Sequence, residues 1–307
     1  MVQKNKRINA PIALFVYNRP QHTRQTVEAL LANELANESD LLIFADGPKS
    51  DKNTGAVRQV REYIHSVTGF KSIKINEKES NQGLANSIIA GVTEVVSKYG
   101  KIIVLEDDMV ASPYFLRYMN DALDMYENED KIISIHGYVY PVKEKLPETF
   151  FLCNPGCWGW ATWKRGWDLF EPNGEKLLDK FKTSTQKKRF NFDNSFPFYK
   201  MLKDQIKGKV DSWAIRWYAS AFLQNKLTLW PGKSLVLNIG MDNSGSHCSK
   251  QPEFDTELSS ENIQLNSMDI VESTLCRHHF AKYFRTIKMT FMKKIKNKMS
   301  LLYGRNI

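Results

Sequence analysis

The sequence predicts an α/β fold, with a mostly parallel sheet and helices on its faces in the first half and, beyond about residue 150, a second lobe or an elaboration packed on the first. Two observations predict it. Short runs rich in Ile, Leu, Val or Phe alternate with segments of helical period. After about residue 150 the composition turns to Trp, Phe and Lys without a clear linker. The 307 residues, 42% hydrophobic and 25% charged, allow a sizeable core in one large domain or two small ones.

The first apolar run, from Pro11 to Tyr17, is too short to span a membrane, and Asn18-Arg19-Pro20 follows it where a signal-peptide cleavage site would stand. It reads as a buried strand, Ile12–Tyr17, of a cytoplasmic protein. A helix over Gln21–Ala32 follows behind Pro20, a residue suited to a first helical turn. Strands are then expected at Leu41–Ala45, Phe70–Ile75, Ile102–Leu105 and Ile132–Ile135, with helices at Thr54–Val67, Leu84–Tyr99 and Pro113–Tyr126 between them. Sheets of this kind bind ligands beyond the carboxyl ends of their strands. Those ends carry Asn18-Arg19, Asp46-Gly47, Asn81-Gln82-Gly83 and Glu106-Asp107-Asp108, which should converge on one crevice.

Three acids delivered by an apolar strand concentrate negative charge that a divalent cation, Mg²⁺ or Mn²⁺, neutralises well; the same run also reads as a solvated turn capping a helix at Ser112. Arg19 and Asp46 at adjacent strand ends suit the phosphate and base of one nucleotide, although Asp-Gly is also a common turn and Arg19 a common surface residue. Asn81-Gln82-Gly83, ahead of a helix, brings backbone amides to the same place. Trp158, Trp160, Trp163 and Trp167 read either as core or, with Gly156 and Gly159, as an aromatic floor for sugar rings. Asp211, before the helical run Trp213–Leu223, reads as an N-cap or as a general base. The Gly-, Asn- and Ser-rich stretch Asn238–His247 reads as a closing loop or a plain surface loop.

The formal net charge of +9 is not evenly spread. Nine of the 43 Lys and Arg residues lie from Arg277 onward with no acid among them, leaving 34 basic against 34 acidic residues before that point. A neutral body gives no footprint for nucleic acid, so none is expected as a partner. In the tail, Phe280, Tyr283, Phe284, Ile287, Phe291, Ile295, Met299 and Leu302 recur at helical spacing among the basic residues. That pattern describes a basic amphipathic helix, suited to an anionic membrane surface or to docking on the body. The four cysteines lack paired C-x-x-C spacing, as free thiols of a reducing compartment would.

Taken together, Leu105-Glu106-Asp107-Asp108 with Ala111-Ser112-Pro113-Tyr114-Phe115, Asn154-Pro155-Gly156-Cys157-Trp158-Gly159-Trp160, Asp211-Ser212-Trp213 and Gly245-Ser246-His247 resemble, in order, motifs of the GT-A-fold glycosyltransferases. Within them the likeness is to the N-acetylglucosaminyltransferases acting on N-glycan cores and O-mannosyl glycans, from about Pro11 to about Asn266. The resemblance implies a Rossmann-like mixed sheet with a nucleotide-sugar-binding half (1–150), an acceptor and catalytic-base half (151–266) and a basic tail (267–307). It implies Mn²⁺ or Mg²⁺ on Asp108 with Asp107 and His247, and donor binding by Arg19, Asp46, Asn81, Glu106, Asp107, Trp158 and Ser246. Asp211 would be the base of an inverting transfer from a nucleotide sugar to a glycan or lipid-linked glycan.

The chain departs from the pattern at Asn81, where a uracil-contacting histidine is expected, and at Ser212, where some members have a second acid. Without the signal anchor and stem of Golgi enzymes, it is more similar to a bacterial polysaccharide-assembly enzyme, peripheral on the inner face of the plasma membrane. A sugar-phosphate nucleotidyltransferase would carry a glycine-rich phosphate loop after the first strand, where Asn18-Arg19-Pro20 stands instead. A non-catalytic glycan-binding protein would not need the acids or the base.

Overall fold

A computed structural model describes residues 8–242 and 252–287. The expected alternation becomes β1 (Ile12–Val16), α1 (Pro20–Leu31), β2 (Asp40–Ala45), α2 (Asp51–Ser66), β3 (Ser72–Glu77), α3 (Leu84–Tyr99), β4 (Lys101–Glu106), β5 (Met109–Ala111), α4 (Phe115–Met125) and β6 (Ile132–His136). The largest displacement is at α2, which begins at Asp51 rather than Thr54. An acid in the first turn complements the helix dipole and extends the helix toward Ser50. The short strand β5 has no counterpart in the sequence reading.

The later chain supplies β7 (Thr149–Leu152), β8 (Trp160–Trp163), α5 (Lys164–Trp167), α6 (Gly174–Asp179), α7 (Ser184–Phe190), α8 (Phe198–Ile206), α9 (Trp213–Leu223), β9 (Leu227–Pro231), β10 (Val236–Asn238) and a last helix, α10, over 274–287. The strands do not make a separate lobe. β7, β8 and β9 complete one eight-stranded mixed sheet in the order β3-β2-β1-β4-β8-β6-β9-β7, with β8 antiparallel to both β4 and β6, and β10 pairs antiparallel with β5 in a two-stranded sheet. Only the β3-β2-β1-β4 half is wholly parallel.

Successive strand residues face opposite cores, as the period of two requires. Ile12, Leu14, Leu41 and Ile43 meet Val27, Val60 and Leu116 on one side; Ala13, Phe15, Leu42 and Phe44 meet Ile88, Val92 and Trp217 on the other. Trp160 belongs to the second core, stacked on Trp213 with centroids 5.4 Å apart and flanked by Trp167 and Trp217. Trp163 is also buried and donates its indole N–H to the Leu123 carbonyl at 3.1 Å. Three of the four clustered tryptophans therefore pack the fold.

The start of the basic tail is docked on the body. Phe280 and Phe284 of α10 are fully buried, and the Phe284 ring lies 5.2 Å from Phe196 and 5.4 Å from Phe192. Arg277 donates to the Arg189 carbonyl at 2.6 Å. This corrects the expectation that Phe280 and Phe284 form part of a membrane-facing stripe, because tertiary packing has already removed that surface from solvent. The rest of the stripe, in 288–307, lies outside the described residues. Among the described residues no helix is long and apolar enough to cross a membrane.

Candidate active site

Strand register explains why distant polar residues meet. β1 lies between β2 and β4 with Val16 opposite Ala45 and Phe15 opposite Glu106. Residues immediately beyond those pairs must emerge together at the sheet edge: Tyr17 to Arg19, Asp46, and Asp107-Asp108. They line a cavity of about 560 Å³, joined by Asn81, Gly83 and Leu84 ahead of and within α3 and by Asp211 ahead of α9. Phe15 and Phe44, stacked at 4.9 Å across the β1–β2 pair, form an apolar wall. A broader depression of about 880 Å³, bordered by 139–148, 232–234 and 255–261, contains none of these strand-end residues.

Arg19 sits in the middle of the acidic run. Its guanidinium binds Asp107 through two nitrogens, with Nε 3.3 Å from Oδ2, and a terminal nitrogen lies 2.8 Å from Asp108 Oδ2. Burial works against the Arg19 charge, but Asp107 and Asp108 outweigh it and hold the group protonated far above its ordinary range. Desolvation, then the charges of Asp108 and Asp107, push Glu106 up to about 8 against the pull of Arg19 and a hydrogen bond from the Trp213 side chain. Desolvation likewise raises Asp107, with Arg19 opposing it. With Glu106 pushed toward its neutral form, the Arg19 guanidinium still faces the two carboxylates of Asp107 and Asp108, so negative charge remains in excess there.

Asp46 is engaged differently from its expected role on a nucleotide. Its Oδ1 accepts from the backbone N–H groups of Gly47 and Gln82 at 2.9 and 2.8 Å, and its Oδ2 accepts from Asn81 Nδ2 and Gly83 N at 2.9 and 3.0 Å. A carboxylate has about four acceptor sites, and all are taken. Asp46 thus fixes the turn into α3, and Asn81 is held by Asp46 and by the Gly47 carbonyl at 3.1 Å.

Asp211, which also lines the cavity, is exposed and is not the helix cap. Ser212 is the cap, its Oγ accepting from Ile215 N at 3.3 Å, so the Asp211 carboxylate is left facing the cavity opposite Gly83. Trp158 lies outside this lining, half-buried, and packs on Tyr138 and Phe254 with centroids 4.7 and 5.7 Å away. Ser246 and His247 lie outside the described residues.

With this geometry in place, the comparisons decide the family. The family model for glycosyl transferase family 2 matches residues 12–203, well over half of the chain. The chain belongs to glycosyl transferase family 2. Among solved structures, a mannosyltransferase from Pyrobaculum calidifontis in complex with GDP-mannose and Mn²⁺ is 11% identical over 70% of each chain, with a TM-score of 0.38. A UDP-glucose pyrophosphorylase complexed with UDP-glucose is 12% identical over 72% of this chain and 90% of that one, with a TM-score of 0.36.

This family 2 glycosyltransferase has the mixed sheet expected of the GT-A fold. Its acids suit a hard divalent cation: Asp107 and Asp108 are buried carboxylates, and Asp108 Oδ1 is buried without a hydrogen-bond partner. Among the described residues no group of three His, Cys, Asp or Glu makes a complete ligand set. Such ions commonly take one or two carboxylates and complete their shell with substrate phosphates and water. The segment over these acids begins the stretch Asn238–His247 read above as a closing or surface loop; its contacts with Asp108 had no sequence signal. Ile239 N donates to the Asp108 carbonyl at 2.9 Å, and a Cβ on Gly240 would stand 2.0 Å from Asp108 Oδ2. His22 and Asp242 lie 3.2 Å apart beside it. Phe15 and Phe44 were legible as strand residues, and only their pairing makes them a wall.

Proposed function

We propose that this glycosyltransferase moves a hexose, with N-acetylglucosamine from its UDP donor the leading case, onto a hydroxyl of a glycan or lipid-linked glycan with inversion. The observation that carries the reading is the shared lining of one cavity by Arg19, Asp107 and Asp108 after β1 and β4 and by the Asp211 carboxylate, which the Ser212 cap leaves out of the helix start. Mn²⁺ or Mg²⁺ held by Asp108 and Asp107 would offset the charge of the departing diphosphate. Arg19 adds a fixed positive charge beside it, and Glu106 is set by Trp213 toward the donor. Asp211 takes the proton of the acceptor hydroxyl as that oxygen attacks the anomeric carbon from the opposite face.

Phe15 and Phe44 offer an apolar face to the nucleotide base, while Asp46 keeps Asn81 and the turn into α3 in place. Ser246 and His247 belong to the segment that would close over the diphosphate. The likeness of motifs to N-acetylglucosaminyltransferases supports the choice of sugar, and the acid-free basic tail supports a peripheral enzyme of the inner membrane face in polysaccharide assembly. The reading is tested by incubating UDP-, GDP- and dTDP-sugars with the enzyme and Mn²⁺ and measuring slow nucleotide release without acceptor. Release from a UDP-sugar, abolished by EDTA, is the expected outcome; release from a GDP- or dTDP-sugar instead would overturn the donor assignment.

A further inference from the structure

A basic stretch precedes Asp211 in the chain and has no part in the chemistry above. Between Lys176 and Lys209 the chain carries ten Lys or Arg residues against three Asp. Lys200, Lys203 and Lys207 recur at helical spacing along and just beyond α8, and all three are exposed. Lys187 of α7 joins them: its ammonium lies 5.2 Å from the centroid of the Tyr199 ring, and that of Lys203 lies 5.7 Å from the same centroid. Asp204 is the acid among them, ion-paired with Lys200 and also within the fields of Lys209 and Lys207. The helix ends at Gly208 in a left-handed conformation, with Lys209 N bonded back to the Asp204 carbonyl at 2.9 Å, which gathers the last lysines beside Asp211.

We infer that this lysine face of α7 and α8 docks the enzyme on an anionic lipid surface and turns the cavity mouth at Asp211 toward it. The inference rests on the lipid-linked-acceptor reading for its functional meaning. Lysines 187, 200, 203, 207 and 209 line neither of the two larger cavities, so they suit an extended charged surface rather than an enclosed glycan. Phe284 packs on Phe196 and on Phe198 at the start of α8, and 288–307 add six Lys or Arg, no acid, and Phe291, Ile295, Met299 and Leu302.

The test is flotation of the full chain with phosphatidylcholine vesicles with or without phosphatidylglycerol, comparing wild type with Lys200→Glu/Lys203→Glu/Lys207→Glu. A full-length variant with Lys293, Lys294, Lys296 and Lys298 changed to Gln separates the tail from the face. The expected result is selective, salt-sensitive binding to the anionic vesicles that falls at least ~10-fold in the charge-reversal variant, since each surface lysine contributes roughly fivefold. The tail variant retains binding that the reversal removes. Melting temperature and nucleotide release from a soluble donor stay unchanged, so failure of the donor reading and failure of docking are separate results. Equal vesicle binding by wild type and reversal variant, loss confined to the tail variant, or capture of a soluble anionic polysaccharide without vesicle binding would each overturn the proposal.

Discussion

Replacing Asp211 by Asn is expected to lower kcat for transfer by a factor on the order of 10²–10⁴ while leaving donor KM nearly unchanged. The asymmetry follows from position. Asp211 lines the cavity from the approach to α9, makes no hydrogen bond or ion pair with Arg19, Asp107 or Asp108, and on the proposed reading acts on the acceptor proton and adds little to donor binding. Ser212→Ala is the matched control. It removes the cap of α9 and should cost about 1 kcal/mol of stability with little loss of kcat. Steady-state kinetics with donor and acceptor varied separately, together with urea unfolding, distinguish the two. A large kcat loss in Ser212→Ala with none in Asp211→Asn would mean that the helix start matters and the carboxylate does not.

The second large effect belongs to a residue with no chemistry of its own. Gly240→Ala places a methyl group where only 2.0 Å separates it from Asp108 Oδ2 and 2.8 Å from Arg19 Nη1. Segment 238–242 is fixed nearby by β10–β5 pairing, by Ile239 N on the Asp108 carbonyl and by Gly240 N on Asn238 Oδ1, so it cannot simply swing away. The carboxylate must shift instead. Misplacement of about 1 Å in such a site costs on the order of 10²-fold, expected here in kcat/KM, with the metal concentration for half-maximal activity rising as well. Assays across a Mn²⁺ series check it, and an unchanged metal dependence would show that Asp108 is not held by this contact.

Much of the parallel half of the fold was legible because its strands are continuous apolar runs between helices of clear period, as in Ile12–Val16 and Leu84–Tyr99. The later strands were not. Trp160–Trp163 is aromatic enough to be buried in any element, and only its pairing with β4 and β6 marks it as a central strand. At the site, residue types were readable but partnerships were not. Arg19 and Asp107 are 88 positions apart, and their contact follows from the β1–β4 register. Asp46 looks like a ligand-binding acid in sequence, yet the backbone N–H groups that saturate it carry no sequence signature. Which residue caps α9 depended on one local choice between Asp211 and Ser212, and the serine takes it.

On the proposed reading, Asp107 and Asp108 after β4 hold a metal that binds the donor's diphosphate. Calorimetric titration of UDP into the wild-type chain and into Asp108→Asn, each with Mn²⁺ and with EDTA, tests it most directly. The account predicts UDP binding to wild type that depends on Mn²⁺ and is lost in Asp108→Asn, with the melting temperature retained. UDP binding of equal strength in EDTA, or unaltered by Asp108→Asn, would contradict it.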